Sequence, residues 1–204
     1  GQIKQAKVFV CGLGYFELYV NGERIGDDYL VPNMTDYTKR FDLEKGPIAI
    51  SGNMSRHRVM YLAYDITKQI QEGSNALGVI LGNGFYDAVN LNIPCSKFGD
   101  ECLRLQLQLT YADGTTQTVI SDNTWETKPS AITLNGVHAG EIYNANLETP
   151  LWATTEDNSQ GWQRVKCIEG PTGMMTAHTA PTDKIVETLK PMSTQQREAG
   201  AGKV

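Results

Sequence analysis

The strongest constraint in this sequence is a ten-residue stretch in which leucines alternate with polar residues. From Cys102 to Tyr111 the chain reads CLRLQLQLTY. Because successive side chains of a β-strand point to opposite faces of a sheet, this period of two predicts a strand with one buried and one solvated face. We therefore expect a sheet whose apolar face is covered by a second layer of the protein.

Turn signals beside other apolar stretches predict hairpins. Asn21 and Gly22 follow the alternating residues 15–20, and both residue types tolerate the left-handed backbone of a type I′ turn. The sequence ADG at residues 112–114 turns the leucine strand back in a similar way. Further strands are predicted at residues 7–11, 59–65, 76–81 and 116–120, around Trp125, and at 141–143 and 163–168.

Composition favours strands and turns over long helices. The 204 residues include 20 glycines, which tight turns use for positive φ, and 40% of the residues are hydrophobic, enough for one sizeable core or two small ones. The near-continuous apolar run at 76–81 is typical of a strand in the middle of a sheet. We predict an all-β fold, an antiparallel β-sandwich of the jelly-roll (galactose-binding-like) type.

Charge and hydropathy exclude several classes of protein. The formal net charge is −5, with 18 Lys and Arg against 23 Asp and Glu, so no basic excess is available to bind nucleic acid. No apolar run reaches the roughly 18 to 20 residues that cross a bilayer, so we expect no membrane partner. None of the four cysteines lies at zinc-pair spacing; we expect buried free thiols, with a bridge between Cys95 and Cys102 as the alternative.

Five sets of motifs occur along the chain in one order. They are GYFELYVNG with VPNMTDY at residues 14–22 and 31–37, YDIT with GSNALG at 64–67 and 73–78, LGNGFY at 81–86, DNTW at 122–125, and GEIY at 140–143. In their order and rough spacing, over about residues 6–190, they resemble the N-terminal β-sandwich domain of bacterial α-L-rhamnosidases. The chain is also similar, more loosely, to the sugar-binding jelly rolls of other glycoside hydrolases.

The resemblance implies a multidomain, exo-acting glycoside hydrolase that removes terminal α-L-rhamnose with inversion. Its general acid and base are carboxylates on a helical (α/α)6 barrel, which this sequence has no helical patterns to build. We therefore expect no catalytic residue in this chain. Residues 1–190 are predicted to form an accessory sandwich with a surface insertion at about 43–58. Residues 191–204 are predicted to be a linker or truncated end that leads to a missing catalytic region.

One loop combines the groups that sugar recognition needs. An aromatic face packs against the C–H bonds of a sugar ring, and planar polar groups bind its hydroxyls. Asn83, Phe85, Tyr86 and Asp87 offer both within five residues, and Asn90 and Asn92 follow them. In the structural alternative, the two aromatic residues cap the core and the asparagine supplies a turn. In the resembling family, Asp and Trp more often stand at the positions of Asn83 and Phe85.

The second candidate segment contains Glu141 and Tyr143. The family pattern resembles GExYDAR, in which Asn144 and Asn146 of this chain replace the Asp and the Arg. The Glu and the Tyr could each hydrogen-bond a sugar hydroxyl or fix the junction with the next domain. Both alternatives stay open from the sequence.

We expect no cofactor, although a calcium site of loop Asp and Asn oxygens is an alternative for a sandwich of this kind. The expected partners are a rhamnosylated glycan and the catalytic domain of the same polypeptide. Glycan-degrading enzymes of this kind are commonly exported, so an extracytoplasmic location, periplasmic or secreted, is expected. Two rival functions are a free-standing carbohydrate-binding module and a purely structural interdomain spacer.

Overall fold

The computed structural model describes residues 1–37, 57–87 and 98–193, and strands dominate them. In these residues one short 3-10 helix, Ala145–Leu147, accompanies the strands. The strands are β1 (Ile3–Leu13), β2 (Tyr15–Val20), β3 (Glu23–Arg24), β4 (Arg58–Asp65), β5 (Leu77–Gly82), β6 (Cys102–Tyr111), β7 (Thr116–Ile120), β8 (Glu126–Thr127), β9 (Ile132–Gly136), β10 (Gly140–Tyr143), β11 (Gln163–Arg164) and β12 (Met174–Ala177).

Two sheets form a sandwich around the main core. One has five strands in the order β12-β4-β1-β6-β7, and the other has three in the order β3-β2-β5. All of their pairings are antiparallel except that of β12 with β4. Side chains from both sheets, such as Val8, Leu18 and Leu105, share one buried cluster. The predicted all-β class and antiparallel sandwich are confirmed, and the jelly-roll type stays a prediction.

The leucine strand behaves as its alternation predicts. In β6 the leucines at 105, 107 and 109 are buried, while Arg104, Gln106 and Gln108 are exposed. The strand pairs with β1 on one side and with β7 on the other. Burial of every second side chain thus holds the large sheet against the small one.

The Asn21–Gly22 turn is also confirmed. Both residues have positive φ, 50° and 84°, and they join β2 to β3 through the pair Val20 and Glu23. The Asn21 side chain donates to the Gln69 carbonyl at 2.9 Å and accepts from the Ala76 amide at 2.9 Å. It therefore fastens the hairpin to the loop that leads into β5.

The position of β5 differs from the sequence prediction. The apolar run at 76–81 suggested a strand in the middle of a sheet, but β5 lies at the edge of the three-stranded sheet. Its outer face carries Gly78 and Gly82, and the Trp152 ring and the Asn135 side chain cover them. The run is apolar because another part of the same chain covers its second face, rather than because strands flank it on both sides.

We call the described residues up to 120 the sandwich half and residues 121–193 the outer half. The two halves differ in their strand arrangement. The outer half contains the two-stranded sheets β9-β10 and β8-β11. Two anchors attach its middle to β2 and to the turn after it: the Trp152 ring meets Tyr19 edge-on at 5.2 Å, and the Ala153 carbonyl accepts from the Gly22 amide at 2.9 Å. The middle of the outer half therefore covers part of the small sheet, whereas its last strand, β12, belongs to the large sheet.

The last strand of the chain carries little sequence signal. Strand β12 adds to the edge of the large sheet in parallel with β4, although three of its four residues are exposed. Beyond it, the Lys184 ammonium donates to Asp28 at 2.7 Å and to Asp27 at 2.5 Å. The predicted strand at 163–168 shortens to β11, because this segment lies on the surface without an apolar face to bury.

Three thiols in the described residues are free: Cys11, Cys102 and Cys167. Cys11 is buried as expected, and burial raises its pKa to about 12. The expectation of burial is wrong for Cys167, which is exposed in the outer half. Cys95 lies outside the described residues, as do most of the predicted insertion at about 43–58 and residues 194–204 of the predicted linker. No helix in the described part of the chain is long and apolar enough to cross a membrane.

Candidate functional site

The predicted sugar-binding loop begins where β5 ends. The Asn83 carbonyl accepts from the amides of Tyr86 and Asp87, at 3.2 and 3.1 Å, so the chain reverses within four residues. The loop lies directly against the start of β2, where a Cβ on Gly14 would overlap the Asn83 carbonyl. Gly84 adopts a φ of 51°. A side chain at Gly14 would therefore push the loop out of place.

Tyr86 points into the protein rather than out of the loop. Its side chain is 5% exposed and meets the rings of Tyr37 and Phe98 at centroid distances of 5.0 and 6.1 Å. Burial, together with the neighbouring Cys102 thiol, raises the pKa of its hydroxyl to about 12. These contacts correspond to the structural alternative for this residue, because a ring packed in the core has little surface left for a ligand.

Phe85 occupies a more accessible position. Its ring is half-buried and meets His138 edge-on, with 6.1 Å between the ring centroids and 75° between the planes. His138 is exposed in the turn that joins β9 to β10. The loop and this turn thus place two rings side by side at the surface.

A hydrogen bond joins the same two segments closer to the sheet. The Asn83 amide donates to the Asn135 Oδ1 at 2.7 Å. Asn135 in β9 lies directly opposite Glu141 in β10, and side chains of directly opposed residues share one face of a sheet. Glu141 is exposed. The two segments predicted separately from the sequence, the loop and the strand with Glu141, therefore meet through Asn135.

We call this arrangement the loop–hairpin site. It combines one aromatic face, an amide, an imidazole and carboxylates, which are groups that can pack against a polar ring and bind its hydroxyls. Its residues are Asn83, Phe85, Asp87, Asn135, His138 and Glu141. The residues predicted from the sequence to bind sugar were Asn83, Phe85, Tyr86, Asp87, Glu141 and Tyr143, and that role stays a prediction. Asn90 and Asn92 lie outside the described residues.

Tyr143 lies at the other end of β10 from the turn with His138. Its hydroxyl donates to the Glu148 carboxylate. The next residue, Asn144, donates its amide to the Ala131 carbonyl at 2.8 Å and caps the 3-10 helix by accepting from Asn146. Tyr143 is thus part of a locally bonded surface outside the loop–hairpin site.

Asn135 and His138 were missed by sequence reasoning. The dipeptide at 135–136, Asn-Gly, is a hairpin signal, but it lies inside β9, and the chain turns at 137–139, just before Gly140 with its φ of 77°. Its flanks lack the alternation of a half-buried strand, because β9 and β10 are largely exposed. The sequence also has no local mark of the long-range contact between Asn135 and Asn83.

A second cleft, of about 500 Å³, lies between β4 and the segment after β12. Its polar groups largely bind one another: the Asp28 carboxylate accepts from Thr182, Lys184 and Tyr64. The cleft is therefore a joint between chain segments. Within the described residues, no three His, Cys, Asp or Glu side chains are grouped closely enough to hold a metal ion.

Comparison with known families agrees with this architecture. The family model described as "Alpha-L-rhamnosidase N-terminal domain" matches residues 1–49 and 52–187. The chain belongs to the α-L-rhamnosidase N-terminal domain family. An α-L-rhamnosidase of Formosa agariphila is 33% identical over 199 residues, which are 94% of this chain and 19% of that protein.

Solved α-L-rhamnosidase structures contain the same fold. The enzyme from Dictyoglumus thermophilum superposes with a TM-score of 0.77 at 35% identity, over 94% of this chain and 19% of that one. The Streptomyces avermitilis enzyme, solved in complex with L-rhamnose, gives 0.71 at 28% identity, over 86% and 16%. This chain therefore spans about a fifth or less of the length of these α-L-rhamnosidases.

Proposed function

We propose that this chain is a non-catalytic accessory domain of an α-L-rhamnosidase and that its loop–hairpin site recognises rhamnosylated glycans. The observation that carries the proposal is the convergence of the 83–87 loop and the β9-β10 hairpin on one surface. Family membership supports the connection with α-L-rhamnosidases. The proposal includes an extracytoplasmic location for the enzyme.

The chemistry of the site suits a deoxysugar. L-rhamnose has an apolar methyl group and a ring face with C–H bonds, which an exposed aromatic edge can contact. Its hydroxyls need donors and acceptors that are fixed in place, because ordering flexible side chains reduces affinity. Asn135 is already held by its bond to the Asn83 amide, and the Phe85 and His138 rings support one another.

We assign bond cleavage to the part of the enzyme outside this chain. Glycoside hydrolysis needs two carboxyl groups on opposite sides of the scissile bond, roughly 5 to 10 Å apart. The carboxylates at the proposed site, Asp87 and Glu141, are assigned to hydroxyl binding. This chain is accordingly expected to bind rhamnosides without releasing rhamnose from them.

Calorimetric titration tests the binding role. We expect saturable heat when L-rhamnose or a rhamnosylated oligosaccharide is added, with a dissociation constant on the order of 1 mM for the monosaccharide. The Phe85→Ala variant should weaken binding at least about tenfold, because it removes the aromatic contact. Titrations with calcium and with a chelator test the calcium alternative for the same site.

The matched control is Phe9→Ala. Phe9 is also half-buried and also forms an edge-on ring pair, with Tyr61 at 6.0 Å, but it lies on the large sheet. This variant should bind sugar like the parent chain. Equal loss in both variants, or no heat at millimolar sugar in the parent chain, would contradict the binding role and leave the structural spacer as the function of the domain.

A further inference from the structure

Strand β7 forms one edge of the large sheet, and among the described residues it pairs with β6 alone. Four of its five residues are exposed. An edge strand presents a row of backbone N–H and C=O groups that can pair with a strand of another molecule. The edge of β7 is therefore a surface suited to strand addition.

The register of the β6-β7 hairpin shows which backbone groups point outward. The Tyr111 amide donates to the Thr115 carbonyl at 2.9 Å, so these two residues face each other as a bonded pair. In an antiparallel ladder, bonded pairs alternate with pairs that exchange no hydrogen bond. The N–H and C=O groups that point away from β6 consequently belong to every second residue of β7: Thr116, Thr118 and Ile120.

The sequence of β7 lacks the features with which edge strands usually avoid pairing. Charged side chains, prolines and bulges are the common ones. Residues 114–121 read GTTQTVIS, without a charge or a proline, and the pairing of β7 with β6 has no register shift. Threonine, valine and isoleucine are also favoured in strands. The other edges differ, since β3 has two residues and β5 is largely half-buried.

The outward groups of β7 complement those of an identical strand. When two copies pair antiparallel about a two-fold axis at Thr118, this residue faces its own copy, and Thr116 faces Ile120. Each facing pair exchanges two hydrogen bonds, which gives about six backbone bonds in all. Because the axis uses both β7 edges, the assembly closes at two copies.

The same pairing covers an exposed apolar side chain. Val119 packs against the main core cluster, so the side chains on either side of it project from the opposite face of the sheet. Ile120 is 53% exposed on that face. In the pair of copies it lies beside Thr116 of the second copy, as a cross-strand contact between two β-branched residues.

We propose that two copies of this chain associate through their β7 strands and join their five-stranded sheets into one continuous sheet. A second copy fits this edge because one two-fold axis matches the backbone donors with acceptors, covers Ile120 and brings no charged side chain into the paired stretch. The paired surface is short, so we expect a weak dimer with a dissociation constant on the order of 0.1 to 1 mM.

Acidic residues just outside β7 limit the strength of this dimer. Asp113 accepts from the Thr115 amide and Asp122 accepts from the Thr124 amide, so both carboxylates are fixed at the ends of the strand. Under the two-fold axis Asp122 faces Gly114 of the second copy, next to Asp113, and like charges approach each other. Salt screens this repulsion, so the dimer should tighten as the salt concentration rises.

Nuclear magnetic resonance of the isotope-labelled chain in a dilution series tests the proposal. We expect the amide signals of Thr116, Thr118 and Ile120 to shift most with concentration, and those of Gln117 and Val119 much less, because only the outward amides gain a hydrogen bond. Sedimentation velocity should show the dimer growing in the same samples. Spectra that do not change up to about 1 mM, or equal shifts of inward and outward amides, would overturn the proposal.

A charge at the centre of the edge should break the dimer. Thr118→Lys places two ammonium groups opposite each other across the axis and should weaken association more than about tenfold. Gln108→Lys is the matched control, because Gln108 is exposed directly opposite Thr118 but one strand farther from the edge. Its effect should be less than about twofold. Equal weakening by both variants would assign the effect to general repulsion and contradict the β7 interface.

Removing a flanking charge should act in the opposite direction. Asp122→Asn and high salt should each strengthen the dimer about two- to threefold. A dimer that weakens with salt would be held by ion pairs elsewhere, and an unchanged constant in Asp122→Asn would place this residue away from the interface; either result overturns pairing about Thr118. The heat of sugar binding reports the loop–hairpin site separately, so its absence would leave the β7 interface untouched.

Discussion

The sandwich half and the outer half of this chain are joined covalently, yet they bury their side chains to very different degrees. Of the nineteen buried hydrophobic residues in the described part of the chain, only Ala153 belongs to the outer half. The sandwich half therefore supplies the free energy of folding, because apolar burial is its dominant favourable contribution. The outer half contributes exposed residues, among them the β9-β10 hairpin of the loop–hairpin site.

This difference explains why the candidate site lies where the two halves meet. A recognition surface needs exposed side chains that are nevertheless held in place. The sandwich half provides the fixed loop at Asn83, and the outer half provides Asn135, His138 and Glu141 on a hairpin that is anchored to it. Neither half alone contains the complete set of groups.

The largest expected effect is a contrast between two leucine truncations. Leu18→Ala removes a side chain that is 1% exposed between the two sheets, and it should lower the free energy of unfolding by about 2–5 kcal/mol. Leu147→Ala removes a side chain of the outer half that is 48% exposed, and it should change the free energy of unfolding by less than about 0.5 kcal/mol. Urea denaturation followed by circular dichroism measures both values, and equal losses would refute the division into two halves.

A methyl group added at Gly78 should disturb the contact between the outer half and β5 and leave the core of the sandwich half intact. A Cβ at Gly78 would lie 2.5 Å from the Trp152 ring, so Gly78→Ala should displace the ring and cost about 1–3 kcal/mol. A shift of tryptophan fluorescence with retained β-sheet circular dichroism is the expected signature. Gly170→Ala is the control, because a Cβ there has nothing within 4 Å. An unchanged spectrum in Gly78→Ala would show that the outer half is not held by this contact.

Removing the bond between the halves at the candidate site should have a smaller effect. Asn135→Ala leaves the Asn83 amide without its side-chain acceptor, which should cost about 1 kcal/mol and weaken sugar binding. Urea denaturation and calorimetric titration report the two losses. Asn158→Ala, at an exposed residue of the outer half, should change neither. Full sugar affinity in Asn135→Ala would exclude the hairpin from the site.

The smallest expected effect is a pH response at the joint near Lys184. Burial opposes the charge on Asp28, but hydrogen bonds from Lys184, Thr182 and Tyr64 outweigh it and lower the pKa of this carboxyl below its usual 3.8. A lowered pKa means that the ionised form stabilises the fold above pH 3.8 and that this contribution disappears as the pH falls through the pKa of the folded state.

Hydrogen exchange of residues 174–184 measures this response. We expect these amides to lose protection on acidification, whereas Asp28→Asn should show weaker protection near neutral pH and less further change in acid. Parallel pH profiles for the two proteins would show that Asp28 does not hold the outer half in place.

Local sequence patterns predicted the sandwich half well, because each residue of its strands faces either the core or water. In β6, every second residue faces a core and the others face water, so the alternation is visible in the sequence itself. The turn at Asn21 and Gly22 is similarly local, since the φ values it needs belong to those two residues. The position of β5 was predicted wrongly. The Trp152 ring covers one face of this edge strand, so its sequence is as continuously apolar as that of a strand in the middle of a sheet.

The loop–hairpin site was predictable only in parts. The loop residues Asn83, Phe85 and Asp87 and the strand residue Glu141 were named from their chemistry and from family resemblance. The burial of Tyr86 was not decided by its neighbours in sequence, because it depends on rings at Tyr37 and Phe98. His138 and Asn135 were missed because their contacts join residues about fifty positions apart.

Short stretches of sequence were enough to predict the all-β class, the alternation of buried and exposed residues in β6, the first hairpin and the resemblance to the α-L-rhamnosidase N-terminal domain. Each of these depends on nearest neighbours or on short motifs that one stretch of chain contains. Only contacts between distant segments place the Trp152 ring over β5 and bring Asn135 to the Asn83 amide. The physical reason is that packing between distant segments depends on the shapes of both surfaces, whereas periodicity records only whether a residue is covered.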